Sequence, residues 1–418
     1  MLRAAMRAAA SQQTSAFYIV DLNILRQQHQ RWKRHLPRVH PHYAIKCNPD
    51  KILLELMGNE LNMGFDCASA SEIDVALTNV TPDRIVYANP IKAPEHLLHA
   101  ANLNVQQVTV DSVDEVRKVA ALHPHAQVIV RIHVDDKDAI CRLGLKFGAS
   151  LHDVVPDIIQ EARRLQLDVS GVAFHAGSGQ SSPAAFTCAI SRARAAFDMG
   201  VAAGFDMRLL DIGGGFNDDK GFSSVANACR TSLDMLFPND YGSDYDGSNG
   251  GVRIIAEPGR FMVSACSTLV TRVIGRRLDH EGNHAFFVND SIYGSFNNVM
   301  YDHASVHPSF ALMQEHGGSS CSLEEECFSK SSVWGQTCDG LDRLVESTHC
   351  LPPSLDVGDW LGWENHGAYT SAAGSRFNGF ALPETIYLNV VMEEEEEEMM
   401  VVAVGKLNKR KKNLFLKK

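Results

Sequence analysis

Residues 208–216 read RLLDIGGGF, a short apolar run followed by an acid and three consecutive glycines. A second stretch, RIIAEPGR at residues 253–260, also places polar and small residues directly after an apolar run. In a barrel of eight parallel strands, functional groups gather at the carboxyl ends of the strands, and phosphate often binds after strands seven and eight. The two stretches therefore indicate the seventh and eighth strands of such a barrel.

The chain before residue 208 supplies six more candidate strands. Short β-branched runs alternate with amphipathic stretches such as PEHLLHAAN and SVDEVRKVAAL, the pattern of repeated strand–helix units and a parallel sheet. The predicted fold class is α/β, with a (β/α)8 TIM-like barrel over residues 21–262. Its predicted strands cover residues 43–47, 63–66, 85–89, 106–110, 127–133, 169–175, 208–212 and 253–257.

The pattern changes after residue 262 to strand-like runs without long helices, among them STLVTRVIGRR, HAFFVND and DWLGWEN. This predicts a C-terminal all-β domain over residues 263–390, to which the N-terminal segment 1–20 adds a strand through FYIV. The turn-rich stretches 238–250 and 313–330 are predicted surface insertions. Six glutamates followed by a lysine-rich end predict a disordered tail over residues 391–418.

Composition limits the classes of function. The 418 residues carry a net charge of −11, which argues against non-specific nucleic-acid binding and fits a cationic substrate. No run approaches the roughly 18 apolar residues that a membrane span needs. The ten cysteines are scattered without a CxxC pair, so we expect reduced thiols, cytoplasmic localisation and no metal site. The start, MLRAAMRAAAS, weakly resembles a transit peptide, and a frayed N-terminus is the preferred interpretation.

Two strand-end residues could handle an aldehyde cofactor with a pyridine ring. Lys46, in YAIKCN, follows an apolar run, where a buried amine loses its charge readily and can hold an aldehyde covalently. Glu257 could face the ring nitrogen and keep it protonated. The alternatives are a solvent-facing lysine and an acid that caps a helix ahead of Pro258.

A phosphate site is predicted at neighbouring loops. Gly213, Gly214 and Gly215 would let backbone amides approach a phosphate, and Arg260 would add charge. The alternative for the glycines is a simple turn. His175, in HAGSG, would lie against the ring or is merely packed, and Ser178 in the same loop could bind the phosphate.

Asp66 and Arg131 also stand at predicted strand ends, and Glu72 lies six residues after Asp66. They could pair and border the pocket. They could equally form a structural ion pair, because ion-pair networks occur without function. The sequence leaves both interpretations open.

Cys338, in WGQTCDG, is the candidate proton donor. Decarboxylation leaves a carbanion at the α-carbon, and a thiol can reprotonate it. A cysteine is more commonly a small buried hydrophobe, but the Gly-, Thr- and Asp-rich loop favours exposure. Asp339 and Asp302 offer two carboxylates for a distal ammonium. Together these groups indicate a decarboxylase of amino acids that uses pyridoxal 5′-phosphate (PLP).

The chain resembles the eukaryotic ornithine decarboxylases, PLP enzymes of fold type III, from about residue 15 to 388. The resemblance rests on many motifs in order: YAIKCN, GFDCAS, RIVYANP, CRLGLKFGA, FHAGSG, DIGGGF, AEPGR, YDHA, WGQTCDGLD, GDW, ENHGAYT and FNGF. It implies L-ornithine as the substrate and putrescine, a polyamine precursor, as the product.

The resemblance also implies residue roles. Lys46 would be the PLP lysine, His175 would stack on the ring, and Cys338 would be the proton donor. The remaining cofactor-binding residues would be Asp66, Arg131, Ser178, Gly213, Gly214, Gly215, Glu257, Pro258, Gly259, Arg260 and Tyr369. Substrate contacts would come from Tyr301, Asp302, Asp339 and Phe377, which shapes the carboxylate pocket, and Lys146 would lie at the dimer contact.

The family implies a head-to-tail homodimer in which the partner lends Cys338 and Asp339 to each active site, and a possible antizyme-like regulator. One departure is Gln336, where the family usually has proline, and the residues after 388 match nothing in the family. The rival interpretations are an inactive homologue like the antizyme inhibitors, a decarboxylase of lysine, arginine or diaminopimelate, and an alanine-racemase-like enzyme. In the last of these an arginine would face the ring nitrogen in place of Glu257.

Overall fold

The computed structural model describes residues 2–218, 220–238, 251–313, 320–322, 330–348, 351–391 and 400–401. The chain divides into two compact units, Gln28–Met262 and Met1–Gln27 with Val263–Lys418. Most residues of the predicted insertions 238–250 and 313–330 and of the predicted tail 391–418 lie outside the described residues.

The first unit contains a closed barrel of eight parallel strands, each paired with the next and the last with the first. The predicted barrel is confirmed. Its interior holds a cluster of buried side chains from five of the strands, such as Val86, Ile129 and Ile255. The strands are β1 His40–Ala44, β2 Gly64–Cys67, β3 Ile85–Tyr87, β4 Gln107–Val110, β5 Gln127–Arg131, β6 Asp168–Ala173, β7 Leu209–Asp211 and β8 Arg253–Ala256.

The helices of this unit follow local sequence signals. Ser69 and Ser112 each accept a hydrogen bond from the backbone N–H three residues later and so begin helices Ala70–Ala76 and Val113–Leu122. Among the described helices, none has the length and apolar character that a membrane crossing requires. The other helices are Leu22–His35, Lys51–Glu55, Pro94–Asn102, Val154–Arg164, Pro183–Ala202, Phe222–Leu236 and Arg260–Val263, with a π-helical turn at Leu56–Glu60 and 3-10 turns at Ile45–Cys47 and Pro82–Arg84.

The second unit is built on a nine-stranded mixed sheet, which confirms the predicted β domain. Strand Phe17–Asp21 pairs antiparallel with Ser267–Leu278 and parallel with Glu384–Leu388, so FYIV does join this sheet. The other strands are His284–Val288, Phe310–Leu312, Ser320–Ser322, Ser331–Trp334, Arg343–Thr348 and Trp360–Trp363. Short helical segments lie at Asn298–Tyr301, Ser371–Ala373 and Phe377–Gly379, and Val390–Val391 pairs with Met400–Val401.

The N-terminal segment forms helix Leu2–Ala10, so the interpretation as a frayed end is wrong. Met6 is fully buried in a cluster that includes Phe17 and Trp360, and Ala5 and Ala9 pack beside it. Residues three and four positions apart share a helix face, as Met6 and Ala5 each do with Ala9, which explains why an alanine-rich segment can cover one face of the sheet. Successive side chains of a strand point to opposite faces of the sheet. Tyr18 therefore packs on the other face, in a separate core cluster.

Candidate active site

Lys46 lies in the 3-10 turn Ile45–Cys47, immediately after β1. Its Nζ lies 2.5 Å from Oδ2 of Asp66 in the neighbouring β2, and the Asp66 side chain is completely buried, whereas 45% of the Lys46 side chain is exposed. A buried carboxylate needs a charged or hydrogen-bonding partner. The ion pair therefore holds the amine at the carboxyl end of the barrel and leaves part of its side chain open to solvent.

The sequence analysis considered an ion pair between Asp66 and Arg131. Among the described residues, Asp66 pairs with Lys46, and no ion pair joins it to Arg131. The Arg131 guanidinium lies 5.2 Å from the centre of the Phe147 ring. Glu72 accepts a hydrogen bond from the backbone N–H of Ala68, and burial raises the pKa of Glu72, as does Asp66 to a smaller extent. Asp66 and Arg131 thus lie at the carboxyl ends of two different strands, β2 and β5, without a direct ion pair between them.

The three glycines after β7 lie against the loops after β6 and β8. Gly213 and Gly215 have φ of +65° and +98°, and a Cβ on either would overlap a backbone carbonyl oxygen. A Cβ on Gly214 would lie 2.8 Å from the Glu257 carbonyl oxygen and equally close to His175 Nε2. Only glycine fits these positions, because the loops after β6 and β8 approach this backbone closely.

We expect Gly213→Ala to lose cofactor binding and stability because the new Cβ meets backbone in a strained conformation. The matched control is Gly204→Ala, since Gly204 also has positive φ (+89°) but an added Cβ would meet nothing within 4 Å. Strain alone should cost about 1 kcal/mol at Gly204, and the overlap should add roughly 1–3 kcal/mol at Gly213. Thermal unfolding and cofactor titration measure both effects. Equal losses of stability and of cofactor affinity in the two variants would contradict the close approach of the loops.

His175 follows β6 with its ring held in one orientation. Its Nδ1 accepts a hydrogen bond of 3.1 Å from the Gly177 N–H. Burial, followed by the charges of Arg131 and Lys46, lowers the pKa of His175 well below its usual value. The ring is therefore neutral with its proton on Nε2, a flat surface suited to stacking on an aromatic cofactor.

Ser178 and Arg260 bring the loops after β6 and β8 together. The Ser178 Oγ accepts a hydrogen bond of 3.4 Å from Nη2 of Arg260. Pro258 and Gly259 are buried beside Arg260 in the turn after β8. The residues predicted to bind phosphate thus lie on adjoining loops, next to the glycines after β7.

Glu257 has an acidic neighbour that the sequence analysis did not single out. Burial raises the pKa of Glu257 well above its usual value, and the carboxyl groups of Asp211 and Asp66 raise it further. Burial likewise raises the pKa of Asp211, the last residue of β7. The sequence signal that could have identified Asp211 is an acid at the end of a predicted strand, just before a glycine turn.

Cys338 and Asp339 lie in the second unit, in the loop between strands Ser331–Trp334 and Arg343–Thr348. Cys338 is exposed, which confirms the expectation from the loop composition. The Asp339 carboxylate accepts hydrogen bonds from the Leu341 N–H and the Tyr293 hydroxyl, and these lower the pKa of Asp339. Tyr293, a second residue that sequence reasoning missed, stacks on Phe377 with ring centres 4.2 Å apart.

Asp342 organises this loop. Its buried carboxylate accepts hydrogen bonds from the backbone N–H groups of Thr337 and Ile292, both at 2.9 Å, and from the Thr337 hydroxyl at 2.6 Å. The N–H of Gln336 donates to the Asp290 carbonyl oxygen over 3.2 Å. Proline has no N–H, so Gln336 gives the loop an anchor that the usual family residue could not provide.

The remaining predicted residues also have defined places. Tyr301 ends the short helix Asn298–Tyr301 and is three-quarters exposed, and Asp302 follows it. Tyr369 has a φ of +55°, uncommon for a residue other than glycine. Lys146, in the barrel unit, places Nζ 4.9 Å from the centre of the Phe147 ring.

Residues 22–264 match the family model for the pyridoxal binding domain of pyridoxal-dependent decarboxylases. This chain belongs to that family. Ornithine decarboxylase of Rattus norvegicus is 42% identical over 398 residues, which cover 91% of this chain and 82% of the rat protein. Antizyme inhibitor 2 of Xenopus laevis is 42% identical over 381 residues, covering 87% and 79%. The crystal structure of Paramecium bursaria Chlorella virus arginine decarboxylase bound to agmatine is 34% identical, with a TM-score of 0.84 and coverage of 92% and 100%.

PLP is the cofactor of this family, and the barrel-end residues fit it. The backbone of the glycine turn after β7 and the guanidinium of Arg260, which bonds Ser178, suit a phosphate. A partly exposed amine at Lys46 suits the aldehyde, and the carboxyls of Asp211 and Glu257, whose pKa values are raised, suit a protonated ring nitrogen. When bound, PLP withdraws electrons from the α-carbon of an amino acid substrate.

Proposed function

We propose that this chain decarboxylates L-ornithine to putrescine and CO₂, a step of polyamine biosynthesis. The observation that carries the proposal is the set of groups at the carboxyl end of the barrel: a partly exposed Lys46 amine, a neutral His175, and a Glu257 carboxyl that burial keeps protonated. These groups hold the cofactor, lie against its ring and supply a proton to its nitrogen. Similarity to a named ornithine decarboxylase over most of the chain supports the choice of reaction.

The distal ammonium of ornithine would be bound by Asp339 and Asp302. The lowered pKa of Asp339 keeps its carboxylate charged at neutral pH. The stacked rings of Tyr293 and Phe377 would form an apolar wall beside the methylene chain of the substrate. Decarboxylation of lysine or arginine remains the second candidate, because a structure 34% identical to this chain is named an arginine decarboxylase.

The proposal includes a homodimer in which Cys338 of one subunit serves as proton donor in the site of the other. Large apolar side chains near the Asp339 loop are exposed, among them Leu341, Met300 and Phe377. Exposed apolar surface of this kind is typical of an interface. The proposed location is cytoplasmic, which the scattered cysteines without a CxxC pair support.

An inactive, antizyme-inhibitor-like protein is the rival from a different functional class, given the similarity to antizyme inhibitor 2. The retention of Lys46, Glu257 and Cys338 favours an enzyme, and a regulator of the antizyme kind could still bind it. Purified protein titrated with PLP, then with ornithine, separates the two. We expect a visible absorbance band that borohydride abolishes and ornithine alters. No band, or a band that ornithine leaves unchanged, would contradict the enzyme proposal.

Glu257→Gln should lower turnover much more than cofactor affinity. The amide keeps the size of the side chain, and the glycine loop and Arg260 remain to hold phosphate. Loss of one charge-assisted contact in the transition state costs about 3 kcal/mol, or roughly a hundredfold in kcat. Steady-state kinetics and cofactor titration measure the two effects, and unchanged turnover would remove Glu257 from the ring-nitrogen role.

A further inference from the structure

The carboxyl group of Asp211 is buried, and its two oxygens have different surroundings. Oδ1 accepts a hydrogen bond of 2.8 Å from the Gly213 N–H. Oδ2 is also buried, and within the described residues no amide or hydroxyl group donates to it. The carboxyl groups of Asp211 and Glu257 each shift the pKa of the other, so the two acids are neighbours. Two carboxyl groups can share a hydrogen bond only if one of them carries a proton.

The charged groups around this pair do not neutralise two carboxylates. Lys46 is paired with Asp66, which is itself negatively charged. Arg131 favours the ionised forms of both Asp211 and Glu257, but it does so less than burial opposes them. The neighbouring His175 ring is neutral. Because adjacent buried carboxylates cannot both ionise easily, the pair retains one proton.

The proton is expected on Glu257. Asp211 receives the Gly213 N–H, and a hydrogen bond to the charged form favours ionisation. Glu257 has the more strongly raised pKa, first from burial and then from the Asp211 carboxyl. The same glycine also connects the backbone of the two acids, because the Gly213 carbonyl accepts a 2.7 Å hydrogen bond from the Glu257 N–H.

We propose that Asp211 is a positioning residue for Glu257: it shares one proton with the Glu257 carboxyl and keeps that proton available to the ring nitrogen of PLP. Transfer breaks the O–H bond of Glu257 and forms an N–H bond on the ring, leaving Glu257 as a carboxylate beside a positive ring. The negative charge of Asp211 then favours retention of that proton on nitrogen. The inference rests on the proposed role of Glu257 in the decarboxylation reaction.

The protonation state of the ring can be measured in the holoenzyme loaded with PLP labelled with ¹⁵N at the ring nitrogen. In wild type the ¹⁵N chemical shift should report a protonated ring from pH 6 to 9. Asp211→Asn removes the charge and keeps an oxygen that can accept from Gly213. Its ring should lose the proton at a pH lower by at least about one unit. The matched control is Asp206→Asn, an exposed acid five residues earlier, which should follow wild type.

Combination with Glu257→Gln distinguishes failure of this inference from failure of the proposed function. If Asp211 acts mainly through Glu257, Asp211→Asn should change ring protonation clearly less in the Glu257→Gln chain than it does in the wild-type chain. A normal ring in Asp211→Asn, with a deprotonated ring in Glu257→Gln, would overturn only the role of Asp211. A normal ring in Glu257→Gln would overturn the role of Glu257 itself.

If Asp211→Asn does not fold, infrared spectroscopy of the apoprotein tests the shared proton without any Asp211 variant. The apoprotein should show the infrared band of a protonated carboxyl at neutral pH, and Glu257→Gln should lack it. Loss of the band supports the shared proton. Persistence of the band with the same intensity in Glu257→Gln would place the proton elsewhere and overturn the inference.

Discussion

Lys46→Ala should abolish the covalent link to the cofactor and reduce decarboxylation to background. Among the described lysines, the deeply buried one is Lys92, and it cannot substitute. Its side chain is fully enclosed, with Nζ 2.8 Å from Glu115 and 2.6 Å from the Thr109 carbonyl oxygen. The measurement is the visible absorbance of the cofactor-loaded protein with and without borohydride, followed by mass spectrometry of the reduced chain.

Two further variants separate lost chemistry from lost structure. Lys46→Arg keeps a positive charge beside Asp66, so it should fold like wild type and still form no covalent link, because a guanidinium is always protonated. Lys51→Ala changes an exposed lysine five residues later and should behave as wild type. A borohydride-stable link that persists in Lys46→Ala would show that another amine holds the cofactor.

Mixing two inactive variants should restore activity. If each site uses Lys46 of one subunit and Cys338 of the other, a heterodimer of Lys46→Ala and Cys338→Ala chains has one site with both lesions and one with neither. A random 1:1 mixture contains about half heterodimers under the two-fold symmetry of an isologous interface. Activity should therefore rise from near zero to about a quarter of wild type.

Subunit exchange must be established independently, by mass measurement of isotopically labelled chains after mild dilution. Mixed wild type and doubly substituted chains serve as the control, since their heterodimers contain two sites with one lesion each. Activity that stays at the level of the separate variants despite proven exchange would show that Cys338 acts within its own chain.

The barrel could be predicted from sequence because its strands are short apolar runs at regular intervals. The ends of the strands were less accurate. The first strand was predicted through residue 47 and the sixth through residue 175, but β1 ends at Ala44 and β6 at Ala173. The apolar run continues past the paired residues because the first turn after each strand is also buried. Lys46 and His175 therefore lie in loops, as active-site residues of a barrel commonly do.

Candidate site residues could be proposed from their type and position, whereas the residues that contact them could not. Asp211 and Tyr293 act on Glu257 and Asp339 through contacts across loops, and nothing in their own sequence neighbourhood identifies those partners. The helix at residues 2–10 was missed for a related reason, since Met6 is buried against strands far away in sequence. Both failures concern long-range packing, which a local pattern does not contain.

The most direct test of the proposed function is the release of CO₂ by the purified, PLP-loaded protein from ornithine, lysine and arginine, compared as kcat/KM. We expect ornithine to be the best substrate, with putrescine and CO₂ formed in equal amounts and no release by Lys46→Ala. A higher kcat/KM for lysine or arginine would contradict the assignment of ornithine. Absence of release from all three, with cofactor bound, would contradict the assignment of a decarboxylase of basic amino acids.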